Sequence, residues 1–305
     1  MNITDFSTVK HTALDLVRWG ASRFNEAEIF FGHGADNAVD EALVLVRYVL
    51  HLAPDTPWEL LQGRLTEEEE QAILALFSRR VEERIPAAYL THEAWFAGLR
   101  FYVDERVLIP RSPIAEWIGQ GFAPWVNVPD EVESILDLGT GSGCLAIAAA
   151  LAFPASRVDA VDISSDAIAV ARQNIHDHGL EQRMRVIESD LFAARTIEGP
   201  YDVIISNPPY VDAHEIATMP PEYHHEPSIG LSAGDDGLAY VTPILREAGR
   251  FLTPNGILVV EVGASRPALE GAFPRLPLVW LDLASGGENV FLISAGDLHG
   301  AFQES

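Results

Sequence analysis

The sequence predicts an α/β fold: a mostly parallel sheet with helices on both faces and an antiparallel C-terminal edge, preceded by a small helical domain. Three observations carry that reading. From Val132 onward, short apolar strands alternate with helical segments, the pattern of a parallel sheet covered on both sides. The first of these strands runs into a glycine-rich turn, Gly139-Thr140-Gly141-Ser142-Gly143, that opens a helix. Residues 1–93 show neither the alternation nor a glycine loop.

The helical part is legible piece by piece. Residues 12–24 carry Leu14, Val17, Trp19 and Phe24 with Asp15 and Arg18 between them. Residues 40–51 are strongly apolar after an acidic start, which suits a helix N-terminus. Thr66 followed by four glutamates and then Ile73, Leu74, Leu76 and Phe77 reads as an N-cap opening an amphipathic helix, with Glu69 in the capping-box position and the glutamates forming a solvated first turn. Between Ala94 and Pro113 the chain becomes aromatic and β-branched around Gly98. That predicts a β-hairpin connector, ended by Pro110 and by Pro113 in the first turn of the next helix.

In the second part, strands are expected at ESILDL, RVDAVDIS, MRVIESDLF, YDVIIS and GILVVEVG. Helices are expected at 145–153, 165–178 and 238–252. LVWLDLA and NVFLISA, joined by Ser285-Gly286-Gly287, predict a closing antiparallel hairpin. The expected boundaries are thus 1–93 for the helical domain, 94–113 for the hairpin and 114–305 for the sheet domain.

Composition narrows the function. The 305 residues hold 20 basic and 45 acidic side chains, a formal charge of −25, and Lys10 is the single lysine. Phosphate affinity needs clustered Lys and Arg, so direct nucleic-acid binding and anionic membrane surfaces are disfavoured, and a basic protein partner is favoured. One cysteine, Cys144, excludes a disulfide framework and a cysteine-rich zinc site. Next to the glycine loop it reads as a helix-packing residue. His214-Glu215 and His224-His225-Glu226 lack the spacing of a zinc motif, so no metal is expected. The N-terminus lacks a basic-then-apolar leader and no uninterrupted apolar run spans a bilayer, which predicts a cytoplasmic protein.

The glycine loop has the spacing G-x-G-x-G, not the G-x-G-x-x-G of dinucleotide folds. Asp137 sits on the strand just before it. A carboxylate there disfavours a pyrophosphate and favours a cationic or zwitterionic ligand. Asp162 ends the second strand, where a carboxylate can bond ribose hydroxyls. A positive ligand with a ribose describes S-adenosylmethionine. The candidate cofactor residues are therefore Asp137, Gly139, Thr140, Gly141, Ser142, Gly143 and Asp162. Asp190, at the end of the third strand, is expected to accept from the adenine amino group with Leu191 and Phe192 beside the base; the alternative there is an ordinary Ser-Asp helix cap.

Asn207-Pro208-Pro209-Tyr210 leaves the fourth strand. In parallel sheets ligands sit beyond the carboxyl ends of the strands, so this motif and the glycine loop are expected to share a crevice. The Asn207 side-chain carbonyl and the Pro208 main-chain carbonyl are two adjacent acceptors, suited to both hydrogens of a planar NH2 group. Tyr210 can lie against the flat face of an amide or a base. The two prolines preorganise the loop. Asn207 also borders the cofactor.

DLGTGSGCLAIAAA, VDISSDAIAVARQN, SDLF, SNPPY, EPSIGLSAGDDGLAYVTPIL and GILVVEVG resemble, in order and spacing, the protein glutamine N(5)-methyltransferases of the class I S-adenosylmethionine-dependent methyltransferases. The resemblance covers about 95–305, and the helical domain also fits. It implies a Rossmann-like methyltransferase domain over 114–305, a substrate-docking role for 1–93, and a substrate glutamine held by Asn207, Pro208, Pro209 and Tyr210. VDERVLIPRSPIAEWI is similar to the branch that methylates large-subunit ribosomal protein uL3, rather than to the release-factor branch. The implied partner is uL3, free or in an assembly intermediate. Release-factor methylation, DNA adenine or cytosine amino-methylation, which shares the acceptor loop, and a cofactor-binding protein without activity are the alternatives.

Overall fold

The computed structural model describes residues 10–284 and 289–302. The chain divides into two units, 1–94 with 220–225, and 95–219 with 226–305. The first unit is helical: α1 (Ala13–Glu26), α2 (Ala38–Val49), α3 (Glu67–Glu82) and α4 (Ala87–Thr91). Thr12 with Asp15 and Thr66 with Glu69 both form reciprocal capping boxes, and Asn37 caps α2. These contacts satisfy main-chain donors that a helix start leaves open. Leu16, Leu45, Ile73 and Phe77 close the core. Gly20 has a packing role here, because a Cβ on it would stand 2.4 Å from the Phe77 ring.

The boundary read from sequence was linear, and the structure departs from it at 220–225, which belongs with the helices. The physical reason is a buried ion cluster. Arg80, wholly buried, bonds Glu41 through Nε and donates from Nη1 to Glu222 at 3.2 Å. Glu222 also accepts from Arg84 at 3.3 Å and from the Phe30 amide at 3.2 Å. Burial raises the Glu41 carboxyl above its usual range, and Arg80 opposes that shift. Removing one partner of such a cluster typically costs about 3–5 kcal/mol.

Strands β1 (Glu93–Phe96) and β2 (Leu99–Tyr102) form the expected hairpin. Ala97 and Gly98 both adopt positive φ at its turn, as a tight right-twisting hairpin requires. Helix α5 (Ile114–Gly119) follows, with Pro113 as its N-cap rather than inside its first turn. Then come β3 (Ser134–Leu138), α6 (Cys144–Ala152), β4 (Arg157–Asp162), α7 (Ser165–Asp177), β5 (Met184–Glu188) and β6 (Tyr201–Ser206). After α8 (Ala213–Ile216) the chain adds α9 (Val241–Glu247), β7 (Leu252–Glu261), α10 (Arg266–Ala272), β8 (Val279–Trp280), β9 (Val290–Ser294) and α11 (Ala295–Phe302).

The seven-stranded sheet has the order β5-β4-β3-β6-β7-β9-β8. The strands from β3 to β7 pair in parallel, while β9 runs antiparallel to both β7 and β8. This is the expected mostly parallel sheet with an antiparallel edge. Its order reverses between β3 and β6, which creates a crevice at their carboxyl ends. Three expectations change in detail. The helix expected over 238–252 is shorter, and its last turn tightens to a 3-10 turn at Ala248–Arg250. LVWLDLA supplies a strand of two residues only. The chain closes with α11, which packs Leu298 into the core, where no helix was expected. The expected turn at Ser285-Gly286-Gly287 lies outside the described residues. No helix among the described residues is long and apolar enough to cross a membrane.

Candidate active site

The register brings the two sequence motifs to one crevice. Leu138, the last residue of β3, pairs with Ser206, the last residue of β6. The buried Ser206 hydroxyl donates to the Leu138 carbonyl at 2.8 Å and ties the two strand ends together. The glycine loop and Asn207-Pro208-Pro209-Tyr210 therefore leave adjacent strands at the same rung.

Main-chain bonds shape the glycine loop. Gly139 and Thr140 donate their amides to the Val161 carbonyl at 2.8 and 2.9 Å. Gly139, Gly141 and Gly143 have φ of 72°, 55° and 82°, a region that strains other residues. Their surroundings differ. A Cβ on Gly139 or Gly141 meets no atom within 4 Å, whereas one on Gly143 stands 3.4 Å from Ala171. The first two leave the main chain bare; the third lets α6 approach α7.

Asp137 is fully buried behind this loop. Its Oδ2 accepts from the Thr140 hydroxyl at 2.6 Å, and its Oδ1 has no hydrogen-bond partner. Burial pushes its carboxyl up to about 7, aided by the Asp162 charge and opposed by the Thr140 bond. An orphaned buried oxygen of this kind fits a ligand carrying positive charge. Asp162 is half-buried. It accepts the Gly141 amide on Oδ2 and the Ser164 amide on Oδ1, each at 2.9 Å. Burial raises its carboxyl above the usual range. Those bonds aim the carboxylate at the loop and leave lone-pair capacity for a vicinal diol.

Ser142 is buried, and its carbonyl accepts from Asn174 Nδ2 at 2.8 Å. Asn174, on α7, also holds Tyr102 of the hairpin through its amide, at 2.7 Å, and its carbonyl, at 3.0 Å. This buried amide links hairpin to glycine loop, and sequence reading missed it. Cys144 fits the packing role, because desolvation and the nearby Asp137 push its thiol up to about 12, far from a reactive thiolate.

Asp190 is exposed and Leu191 half-buried, with a left-handed φ of 47° that turns the chain at the strand end. Phe192 is buried in the core and stacks on Phe251 at 4.6 Å. No helix follows here, so the helix-cap alternative does not apply; the chain turns, and the Ser189 hydroxyl accepts the Ala194 amide at 2.8 Å. Ile163, directly after Asp162, is 48% exposed, an apolar side chain that sequence reading also passed over.

In the acceptor loop, Pro208 is buried and Asn207, Pro209 and Tyr210 are half-buried. The next residue, Val211, is clamped between the Leu231 carbonyl and the Ala233 amide, at 3.0 and 2.9 Å. That clamp explains why the SIGLSAGDDG stretch accompanies the motif: Gly237 lies so close that a Cβ would stand 2.6 Å from the Tyr210 carbonyl. The Tyr210 hydroxyl donates to Glu261 at 3.0 Å, and Ser112 donates to the other oxygen of that carboxylate at 2.7 Å. Glu226 is committed to Arg111 through both oxygens, at 2.5 and 2.7 Å, and His225 bonds the Glu83 carbonyl at 2.9 Å. His225 and Glu226 thus serve loop bonding and ion pairing.

Comparison with known proteins places these features in context. The family model for the methyltransferase small domain matches residues 126–220. The ribosomal protein uL3 glutamine methyltransferase of Neisseria meningitidis serogroup B is 50% identical over 289 residues, 95% of this chain and 95% of that protein. The protein of the same name from Burkholderia pseudomallei is 51% identical over 301 residues, 97% of each. Among solved structures, the hMettl16 catalytic domain bound to a MAT2A 3'UTR hairpin superposes with a TM-score of 0.52 at 14% identity, over 82% of this chain and 92% of that one. That last likeness is one of fold.

Proposed function

Because this chain belongs to the family of ribosomal protein uL3 glutamine methyltransferases, we propose that it transfers the methyl group of S-adenosylmethionine to the side-chain amide nitrogen of a glutamine in uL3. The observation that carries the chemistry is the Leu138–Ser206 rung, which sets a ligand loop and a paired-acceptor loop side by side.

Bound S-adenosylmethionine supplies a methyl group on a sulfonium, an electrophile with a good leaving group. Asp162 accepts from the ribose hydroxyls. Asp137, fixed by Thr140, would place negative charge behind the loop that receives the positive end. Gly139 and Gly141 let the main chain approach, and Ser142 and Gly143 hold the loop against α7. Ile163 and Leu191 offer apolar contact to the adenine, and Asp190 accepts from its amino group.

An amide nitrogen is a weak nucleophile because its lone pair is delocalised. Asn207 Oδ1 and the Pro208 carbonyl accept its two N–H bonds and turn the nitrogen towards the methyl. Pro209 stiffens the loop and Tyr210 lies along the amide face. The two carbonyl oxygens would stabilise the positive charge that methylation develops on the nitrogen, before the proton leaves to water. Holding the reacting atoms at about 3–3.5 Å in line supplies several kcal/mol of the barrier reduction.

The substrate is a basic protein met in the cytoplasm, free or within an early assembly intermediate, with no direct nucleic-acid contact. The helical residues 1–93 dock it, 94–113 connect, and 114–305 carry out the transfer. Supplying labelled S-adenosylmethionine with purified uL3, a release factor and duplex DNA in parallel tests the assignment. Label is expected on uL3 first, and Asn207→Ala is expected to keep cofactor affinity largely intact yet nearly abolish turnover. Preference for a release factor or DNA would overturn the substrate, and normal turnover of that variant would overturn the role of the acceptor loop.

A further inference from the structure

Glu261 is a carboxylate where the fold has little reason to keep one. It ends β7, one residue beyond Val260, which pairs with Ser206, and is 3% exposed. Charged groups are seldom buried without an ionic partner in direct contact. Its direct hydrogen-bond partners are two neutral hydroxyls, Ser112 and Tyr210; burial raises its carboxyl above the usual range, and these bonds together with the charge of Arg111, itself ion-paired with Glu226, oppose that shift. The Tyr210 ring is pressed from another side by Gly263, where a Cβ would stand 2.2 Å from the ring. Ring and hydroxyl are therefore held by separate means. Ser112 is itself set in place, accepting the Ile114 amide at 3.3 Å.

We propose that Glu261, aligned by Ser112, is a positioning residue that fixes the Tyr210 ring as the wall of the acceptor-amide site. This deepens the function proposed above and rests on it. An ionised acceptor makes a shorter and stronger bond than a neutral one. The ring is thereby fixed before the substrate arrives, and the amide need not spend binding energy ordering it. A carboxylate retained only to strap residues 109–114 to the sheet would need Ser112 alone. The second bond, to a residue of the acceptor motif, points to catalysis.

The test is a double-mutant cycle of Glu261→Ala and Tyr210→Phe, reading kcat and KM for purified uL3. Phenylalanine keeps the ring and removes its anchor. Each single change is expected to lower kcat about ten- to a hundred-fold, the range for losing a bond to a charged group, with the KM for S-adenosylmethionine unchanged. The double variant is expected to be no worse than the weaker single one, because both remove the same restraint. Glu261→Gln, which keeps an acceptor of the same shape without the charge, is expected to recover part of the rate. Losses that multiply, or a Glu261→Ala enzyme with normal kcat and only a lower melting temperature, would overturn the proposal. Should Glu261→Ala fail to fold, Ser112→Ala with Tyr210→Phe runs the same cycle with the same two outcomes. Wild-type enzyme is the control: no transfer to uL3 overturns the function reading and this proposal with it, whereas transfer with multiplying losses overturns the role of Glu261 alone.

Discussion

At the residue scale the two acids of the glycine loop face opposite demands. Asp137 is buried, and its carboxyl holds its proton up to about pH 7, while an unfolded aspartate releases it near 3.8. The folded chain therefore binds the extra proton between those values, so this group's contribution to stability falls as pH rises from about 4 to 7 and stays lost above. Asp137→Asn is expected to raise the melting temperature of the ligand-free protein at pH 8, with the gap closing towards pH 4. The same change should weaken S-adenosylmethionine binding and remove its rise with pH through 7. A melting temperature that falls at pH 8 would show that the carboxylate has a partner there. Asp162 acts differently, since its main-chain bonds to Gly141 and Ser164 already hold it in place. Asp162→Ala should leave a folded protein whose cofactor affinity, read by calorimetry, drops roughly ten- to a hundred-fold, the worth of charge-assisted bonds to a diol. Unchanged affinity would remove Asp162 from the site.

At the scale of elements, what the sequence reveals depends on distance along the chain. The glycine loop and the acceptor motif were legible because each is continuous and follows an apolar strand, and strand order then brings them together. The capping boxes of α1 and α3 were legible for the same reason, their partners lying three residues apart. The support of the site was not. Glu261 lies 51 residues from Tyr210 and 149 from Ser112, and Asn174 lies 72 from Tyr102. Composition carries no signal for such pairs. A strand end also says nothing about which way the next turn rolls, and here a left-handed Leu191 precedes a ring directed into the core. Helix α11 was missed because GDLHGAF carries two glycines and a weak apolar stripe, and packing supplies what propensity lacks. The crowding at Gly263 gives an element-level prediction. Gly263→Ala, at φ 48° and against the Tyr210 ring, should cost about 1–3 kcal/mol in a denaturant titration, as overpacking does, and lower turnover while cofactor affinity holds. Wild-type turnover would mean that the ring has room to move.

The whole molecule adds a field. A charge of −25 is spread over both parts of the chain, and residues 1–95 hold 16 acidic and eight basic side chains. Such a field draws in a basic protein and repels phosphate, and salt screens both effects over about 8 Å at physiological ionic strength. Free uL3 should therefore be methylated much faster than uL3 in mature ribosomes, where rRNA phosphates surround it. Raising the salt should slow the reaction with free uL3; equal rates on both substrates, unaffected by salt, would rule out steering. The position of the methyl group itself tests the account most directly. Purified uL3 is incubated with the enzyme and methyl-labelled S-adenosylmethionine, digested, and sequenced by tandem mass spectrometry. The proposed function predicts one methyl group on the side-chain nitrogen of a glutamine, absent with Asn207→Ala; label on a lysine, an arginine or the main chain, or none on uL3, would contradict it.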